Sequence, residues 1–387
     1  MLPSCYPSIR MTSERPDADS SINGNRAALT FDRAVGELRR GRAIRITDGN
    51  RTMLAGAVET LQSPVFARLV AAGAGRSVLL VTAERARAAG LAQQIGGAVA
   101  LALPPDIGLD ALRSVAGVGS KVVERGALVA NSKPPCAALA AAGFQLAKSG
   151  RLVPALLGFL ARDRDEDSGL VSIDTSDIEQ HVRFGHHSVQ LVSRARVPLA
   201  DEVDSEIALF RDEHGLAEHV AVIIGKFDQK SAVPVRLHSA CLTGDLLGSL
   251  RCDCGEQLRT AVARIAALGG GVLLYLDQEG RGIGLPNKLR AYVLQDEGLD
   301  TVDADQHLGF LADERTYEVA AALLDELGIK RITLLTNNPQ KISALRDHGI
   351  EIVGRLPLVT SSNTHNERYL KAKTERAGHL AEEWSRS

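Results

Sequence analysis

Three cysteines, Cys241, Cys252 and Cys254, fall within fourteen residues as Cys-x10-Cys-x-Cys. That cluster restricts the chain more than any other feature, because three thiols held so close need a common partner. The chain has five cysteines, an odd number, and Cys5 and Cys136 lie far from the three. This argues against a disulfide framework and for metal binding in a reducing compartment. Three soft thiolates suit Zn²⁺, and three protein ligands leave one tetrahedral position for water. A water held there has a pKa near about 7. Spacing alone also allows a closed structural site with a fourth ligand such as His238. The cluster lies between a strand predicted over 233–238 and a helix predicted over 256–268, where Leu258, Val262, Ile265 and Leu268 share a face.

At 387 residues the chain is too long for one ordinary core, which points to two domains. Histidine divides it: all ten lie at or after His181. The first half is rich in Ala, Val and Leu, with apolar runs at 77–82 and 98–103 around an Ala/Arg helical stretch at 83–94. The second half alternates strands predicted at 219–227, 233–238, 271–276 and 331–336 with helices at 256–268, 286–294, 317–327 and 340–348. Asn338-Pro339 opens the last helix and Gly349 follows it. The expected fold class is α+β (mixed α/β) in two domains. Residues 1–25, polar and rich in Ser, Asp, Pro and Asn, read as a disordered tail. Domains are expected over 26–185 and 190–387, and 162–169 as a charged surface loop.

A net charge of −2 gives no global attraction to nucleic acid or an anionic membrane, and 4% aromatics leave little for base stacking. There is no apolar run of about 18 residues and no secretory signal at the start, so a cytoplasmic location is expected. Any anion must be held by local groups. Glu279-Gly280-Arg281-Gly282-Ile283-Gly284 lies between a predicted strand and a predicted helix, where glycines let backbone N–H groups approach an anion. Arg281 and Lys341 are candidate phosphate partners.

The segment from Val235 to Leu258 resembles the zinc signature of the GTP cyclohydrolase II family, whose members begin riboflavin synthesis. The resemblance continues through Tyr275-Leu276-Asp277-Gln278-Glu279-Gly280-Arg281 to Tyr292, then Asp313-Glu314-Arg315, then Thr336-Asn337-Asn338-Pro339-Gln340-Lys341. It covers about half the chain. It implies one Zn²⁺ held by Cys241, Cys252 and Cys254, and Mg²⁺ accompanying the triphosphate. It implies a GTP site made by Arg236, Leu237, His238, Ser239, Ala240, Gln257, Glu279, Gly280, Arg281, Thr301, Thr336 and Lys341. The implied reaction converts GTP to 2,5-diamino-6-ribosylamino-4(3H)-pyrimidinone 5′-phosphate, formate and pyrophosphate, with a zinc-activated water attacking C8 of guanine. Tyr292 matches a residue serving ring opening, Arg315 one attributed with attack on the α-phosphorus, and Asp313 its proton acceptor. A homodimer is the expected assembly.

Two positions depart from the family pattern: Asp277 stands where Arg is usual, and Ala240 where Glu is usual. The first changes local charge by two units beside the expected triphosphate site. This motivates the alternatives of a homologue stopping at a formamidopyrimidine product and of a non-catalytic, nucleotide-binding regulator. The N-terminal region around 30–60 resembles 3,4-dihydroxy-2-butanone 4-phosphate synthase, to which cyclohydrolase II is fused in many bacteria. The acidic metal-binding run of that enzyme is missing around Asp48, and the first 180 residues contain no histidine. The domain is therefore expected to be degenerate and inactive as a synthase.

Overall fold

The computed structural model describes residues 18–91, 96–104, 106–119, 130–131, 136–162, 169–184, 188–212, 217–361, 363–364, 366–367 and 376. Each half builds one seven-stranded sheet. The first half supplies β1 (Ile44–Asp48), β2 (Arg51–Ala57), β3 (Val78–Thr82), β4 (Ala98–Ala102), β5 (Ala130–Asn131), β6 (Ala155–Leu160) and β7 (Ser172–Asp174). Their spatial order is β5-β4-β3-β6-β2-β1-β7, antiparallel except for the β1–β7 pair. Alternation along the strands serves two cores. Ile46, Met53, Leu80 and Leu156 face one cluster, while Leu54, Leu79, Val81, Leu157 and Phe159 face another.

The second half supplies β8 (Val189–Arg196), β9 (Ser205–Asp212), β10 (Glu218–Gly225), β11 (Val233–Ser239), β12 (Gly270–Leu276), β13 (Arg331–Leu335) and β14 (Glu351–Leu356). The order is β14-β13-β11-β12-β10-β9-β8. Strands β14, β13, β11 and β12 run parallel, whereas β10, β9 and β8 continue antiparallel. The central parallel strands β11 and β12 are buried along most of their length because helices cover both faces. Val272 and Leu274 pack with the Glu318–Glu326 helix, and Leu273 packs with Ala261 and Ile265 of the Cys254–Ala267 helix. After β12 the chain returns to the other side of β11 to form β13, so the winding direction reverses at β11. In open α/β sheets, ligand crevices form outside the carboxyl ends of the strands at such a reversal.

The strands and helices expected in the second half are all present within two residues of their expected ends. In the first half, the helix expected over 83–94 stops at Ala88. Gly90, at φ +69, turns the chain there, and Leu91 N–H closes the end on Ala86 O. A helix over Ala18–Arg39 begins inside the segment expected to be a tail, and residues 1–17 lie outside the described residues. Its buried Phe31 stacks on His181 with ring centroids 3.5 Å apart. Most of the expected 162–169 loop is likewise outside the described residues. No helix among the described residues is long and apolar enough to cross a membrane.

The two halves touch through specific polar contacts. Thr82 Oγ1 donates to Gly309 O at 2.8 Å, Arg85 Nη1 to His307 O at 2.7 Å, and Arg290 Nη2 to Glu59 Oε1 at 2.8 Å.

Candidate active site and metal centre

Strand β11 ends at Ser239. Ala240 N–H still bonds Leu276 O at 2.8 Å, so Cys241 leaves the sheet beside the end of β12. The Asp245 carboxylate fixes this corner. It accepts from Cys241 N–H at 2.9 Å and from the Tyr275 hydroxyl at 2.9 Å, and it lies 3.0 Å from His238 Nε2. Cys254 opens the Cys254–Ala267 helix and Cys252 precedes it. Asp253, between them, accepts from Gln257 Nε2 at 2.5 Å and Thr360 Oγ1 at 2.9 Å.

These anchors bring the three cysteine sulfurs within 4.8 Å of one another, with Cys241 Sγ and Cys252 Sγ 3.7 Å apart. Two thiolates on one tetrahedral zinc, each at about 2.3 Å, stand about 3.8 Å apart, so the donor set has the geometry and softness for that ion. His238 is not a fourth donor: its Nε2 is turned to Asp245, and burial pushes its pKa down, keeping it neutral. Hydrogen bonds from the other two thiols, with the nearby Lys288 ammonium, hold the Cys241 thiol far below its ordinary pKa. Cys252, which gives its proton toward Cys241, is pushed up to about 11. The cluster therefore carries thiolate character at neutral pH even before a cation arrives.

Glu279 and Lys288 close the floor of the site. Lys288 Nζ is 2.6 Å from Glu279 Oε1 and 3.1 Å from both Cys241 Sγ and Thr243 Oγ1, while Glu279 Oε2 takes Leu242 N–H at 2.6 Å. Burial alone would lower the Lys288 pKa, but the carboxylate and thiolate outweigh it and keep the ammonium charged. Glu279 thus holds both Lys288 and the 241–242 turn. After it, Gly280 and Arg281 both adopt left-handed backbone, at φ 64 and 62. Arginine is rarely held there, and such conformations gather at binding sites.

An open cavity covers this floor. Of the expected residues it brings together Ser239, Ala240, the three cysteines, Glu279, Gly280, Arg281, Tyr292, Thr301 and Arg315. Arg236, Leu237, His238, Gln257, Thr336, Lys341 and Asp313 are not among its lining residues. Arg236, fully buried and lowered by that burial to about 10, donates to Leu335 O and Gln257 Oε1. Lys341 Nζ donates to Leu237 O at 2.8 Å, and Thr336 Oγ1 takes Asn338 N–H. Asp313 clasps Arg315 through two parallel contacts, Nε–Oδ1 at 2.9 Å and Nη2–Oδ2 at 2.5 Å.

Lys288 and Asp305 are pocket residues that the sequence reading did not single out. The signal for Lys288 is its position one helical turn before Tyr292, on the same face. Asp305 gives no such signal, because only folding buries it. Burial pushes its carboxyl up to about 8, opposed in part by Arg281, whose Nη1 is 3.9 Å away. A protonated Asp305 leaves the Arg281 charge available to an anion. Asp277 is not among the residues lining the cavity, and Arg151 from the first domain pairs with it.

A Cβ on Gly244 would lie 2.8 Å from Cys252 Sγ and 3.1 Å from Cys241 Sγ. Gly244→Ala should therefore spread the thiols and weaken zinc binding by about tenfold or more, read by competition with a chromophoric chelator. A second outcome concerns pH. The folded chain keeps the Asp305 proton up to about pH 8, whereas an unfolded Asp loses it near about 3.9. This group's contribution to stability falls as pH rises from about 4 to 8. Asp305→Asn should flatten that slope and stabilise the fold at pH 8 by on the order of 2 kcal/mol, measured by urea unfolding at several pH values.

Comparison with known proteins agrees with this geometry. The GTP cyclohydrolase II family model matches residues 190–357. A GTP cyclohydrolase-2 of Azospirillum brasilense is 42% identical over 365 residues, covering 92% of this chain and 94% of that protein. One from Xylella fastidiosa is 39% identical over 360 residues, covering 92% and 88%. A solved two-domain 3,4-dihydroxy-2-butanone 4-phosphate synthase from A. baumannii overlaps 86% of this chain and 99% of its own. At 17% identity and a TM-score of 0.31, that likeness carries no argument. Both full-length matches run across the two domains, and with the family model they establish that the chain belongs to the GTP cyclohydrolase II family of hydrolases.

Proposed function

We propose that the chain opens the imidazole ring of GTP, releasing formate and pyrophosphate and leaving the diaminopyrimidinone ribosyl phosphate that starts riboflavin synthesis. The observation that carries this reading is the shared cavity. Three converging thiolates, the left-handed Arg281 turn, Tyr292 and Arg315 all face one space. When bound to Cys241, Cys252 and Cys254, Zn²⁺ supplies a Lewis acid and lowers the pKa of water.

The chain's own residues would bind the substrate and manage its charge and protons. Arg281 and Arg315 offer two guanidiniums to the triphosphate. Of the lining carboxylates, Glu279 is bonded through both oxygens and Asp305 is largely neutral, so Mg²⁺ would arrive with the triphosphate rather than on a protein cage. Burial raises the Tyr292 pKa, which keeps its hydroxyl protonated as a donor 3.4 Å from Thr243 Oγ1. The family role of Arg315 as a nucleophile needs a base to remove its proton. Although burial raises the Asp313 carboxyl, its bonds to Arg315 lower it more, leaving a weak base. The pair is better suited to stabilising charge on the α-phosphate as a fixed guanidinium. The pairing of Asp277 with Arg151 removes the charge argument for an altered product.

Full-length protein given GTP, Zn²⁺ and Mg²⁺ should yield the pyrimidinone phosphate, formate and pyrophosphate in equal amounts, identified by mass spectrometry. Cys252→Ala should lose zinc and formate release together. Arg315→Ala should keep its zinc while pyrophosphate release falls about 100-fold or more. Native pyrophosphate release in that variant would remove both proposed roles of Arg315.

The first domain is proposed to be inert as a synthase. Its Asp48 is paired with Arg51 at 2.6 Å, and Thr47 Oγ1 donates to Asp174 at 2.8 Å, so neither acid stands in a free acidic cluster. The full chain incubated with ribulose 5-phosphate and Mg²⁺ should form no butanone phosphate above a no-enzyme control. Formation of that product would show that another group replaces the missing histidine.

A further inference from the structure

Three features have no part in the cyclohydrolase reading: an exposed apolar stretch at Leu246, Leu247 and Leu250, the contact of buried Cys136 with Asp48, and the contact between the two domains. Only the last touches the walls of the pocket.

The Ala137–Ser149 helix of the first domain ends in a turn in which Arg151 N–H bonds Lys148 O and Leu152 N–H bonds Ala147 O. In this ending the residue at the position of Arg151 takes left-handed backbone, and glycine is favoured there. Arg151 occupies it at φ +57. A glycine there would carry less strain than this arginine.

That side chain crosses to the second domain and grips both ends of one pocket wall. It forms an ion pair with Asp277, immediately before the lining residues 278–281. Its Cβ, Cγ and Cδ lie against Gly284 so closely that a Cβ on that glycine would sit 2.9 Å from Arg151 Cδ. Its carbonyl takes Asn287 Nδ2–H at 2.9 Å, and the same amide group also reaches Ile283 O. Three residues earlier, Lys148 pairs with Glu314 at 2.6 Å, both side chains being largely buried. Glu314 lies between Asp313 and Arg315, and its N–H bonds Arg281 O at 3.1 Å. One helix end thus holds the Arg281 turn and the Arg315 segment in a fixed relation.

We propose that Lys148 and Arg151 are positioning residues for the nucleotide site, and that the first domain serves as a brace setting the spacing between Arg281 and Arg315. This rests on the reading of that cavity as the GTP site. Two guanidiniums placed to meet one triphosphate lose effectiveness when their spacing drifts, and a displacement of about 1 Å is enough to cost about 100-fold in rate.

The test uses the full chain carrying Lys148→Met and Arg151→Gly, singly and together. Arg151→Gly suits the left-handed turn and so removes the side chain without harming the first domain. Amide hydrogen exchange over 278–284 and 311–316 should quicken about tenfold or more in the double variant. Turnover of GTP should fall about tenfold or more, with zinc content retained. Lys148→Arg should stay near native, and Lys148→Glu combined with Glu314→Lys should recover part of what Lys148→Glu loses. Native exchange in the two segments overturns the proposal, as does faster exchange with unchanged turnover, or a loss of turnover that tracks lost zinc. A wild-type chain that turns over no GTP sinks the cyclohydrolase reading, while the exchange result still decides the brace.

Discussion

Beneath the thiol cluster, the buried ion pair of Lys288 and Glu279 holds together four segments that the chain delivers separately. Glu279 follows β12, Lys288 lies in the Leu285–Asp296 helix, Cys241 follows β11, and Thr243 belongs to the turn after it. Two charges so deeply buried persist only with excellent partners, and removing one of such a pair costs about 3–5 kcal/mol. Every polar contact of this pair also places something the site needs. The ammonium draws out the Cys241 thiolate, and the carboxylate pins the Leu242 amide. The arrangement adds little to stability that an apolar core would not add, but it specifies one geometry.

A chain with a net charge of −2 can still gather four cationic side chains at one pocket, because charge is sorted locally. Arg251, Arg281, Lys288 and Arg315 all line the cavity. The carboxylates nearest to them are neutralised by burial, as at Asp305, or spent in pairs, as at Asp313 and Glu279. The site also sits at the carboxyl ends of parallel strands, where the winding of the sheet reverses and the connecting loops diverge to leave a crevice. Sheet topology supplies the space and side-chain pairing supplies the sign of the field.

Much of the second domain was legible in the chain. The buried strand β12 reads as an apolar run, and amphipathic helices show their period directly. The cysteine cluster was legible because its members are close in sequence, so local structure alone brings Cys252 near Cys254, and Cys241 needs only one return of the chain. The first domain was less legible. Its Ala-rich stretch at 83–94 carries a helical pattern that a positive-φ glycine cuts at residue 90, and the ordered start at Ala18 has the composition of a tail.

The sequence by itself determined the family, the thiol donors and the alternation of strands and helices, because each depends on residues near one another along the chain. Tertiary structure alone decided which of the expected contacts face the cavity. Arg236, His238 and Lys341 carry the chemistry of ligands, and in the fold Arg236 donates to Leu335 O, His238 Nε2 lies against Asp245 and Lys341 donates to Leu237 O. It also decided the ionisation of Asp305, which depends on burial, and the fate of Asp277. An aspartate beside a phosphate site reads as a fault in the sequence. In the fold it is the partner of an arginine 126 residues away, because packing of the two domains puts opposite charges together that no local spacing relates.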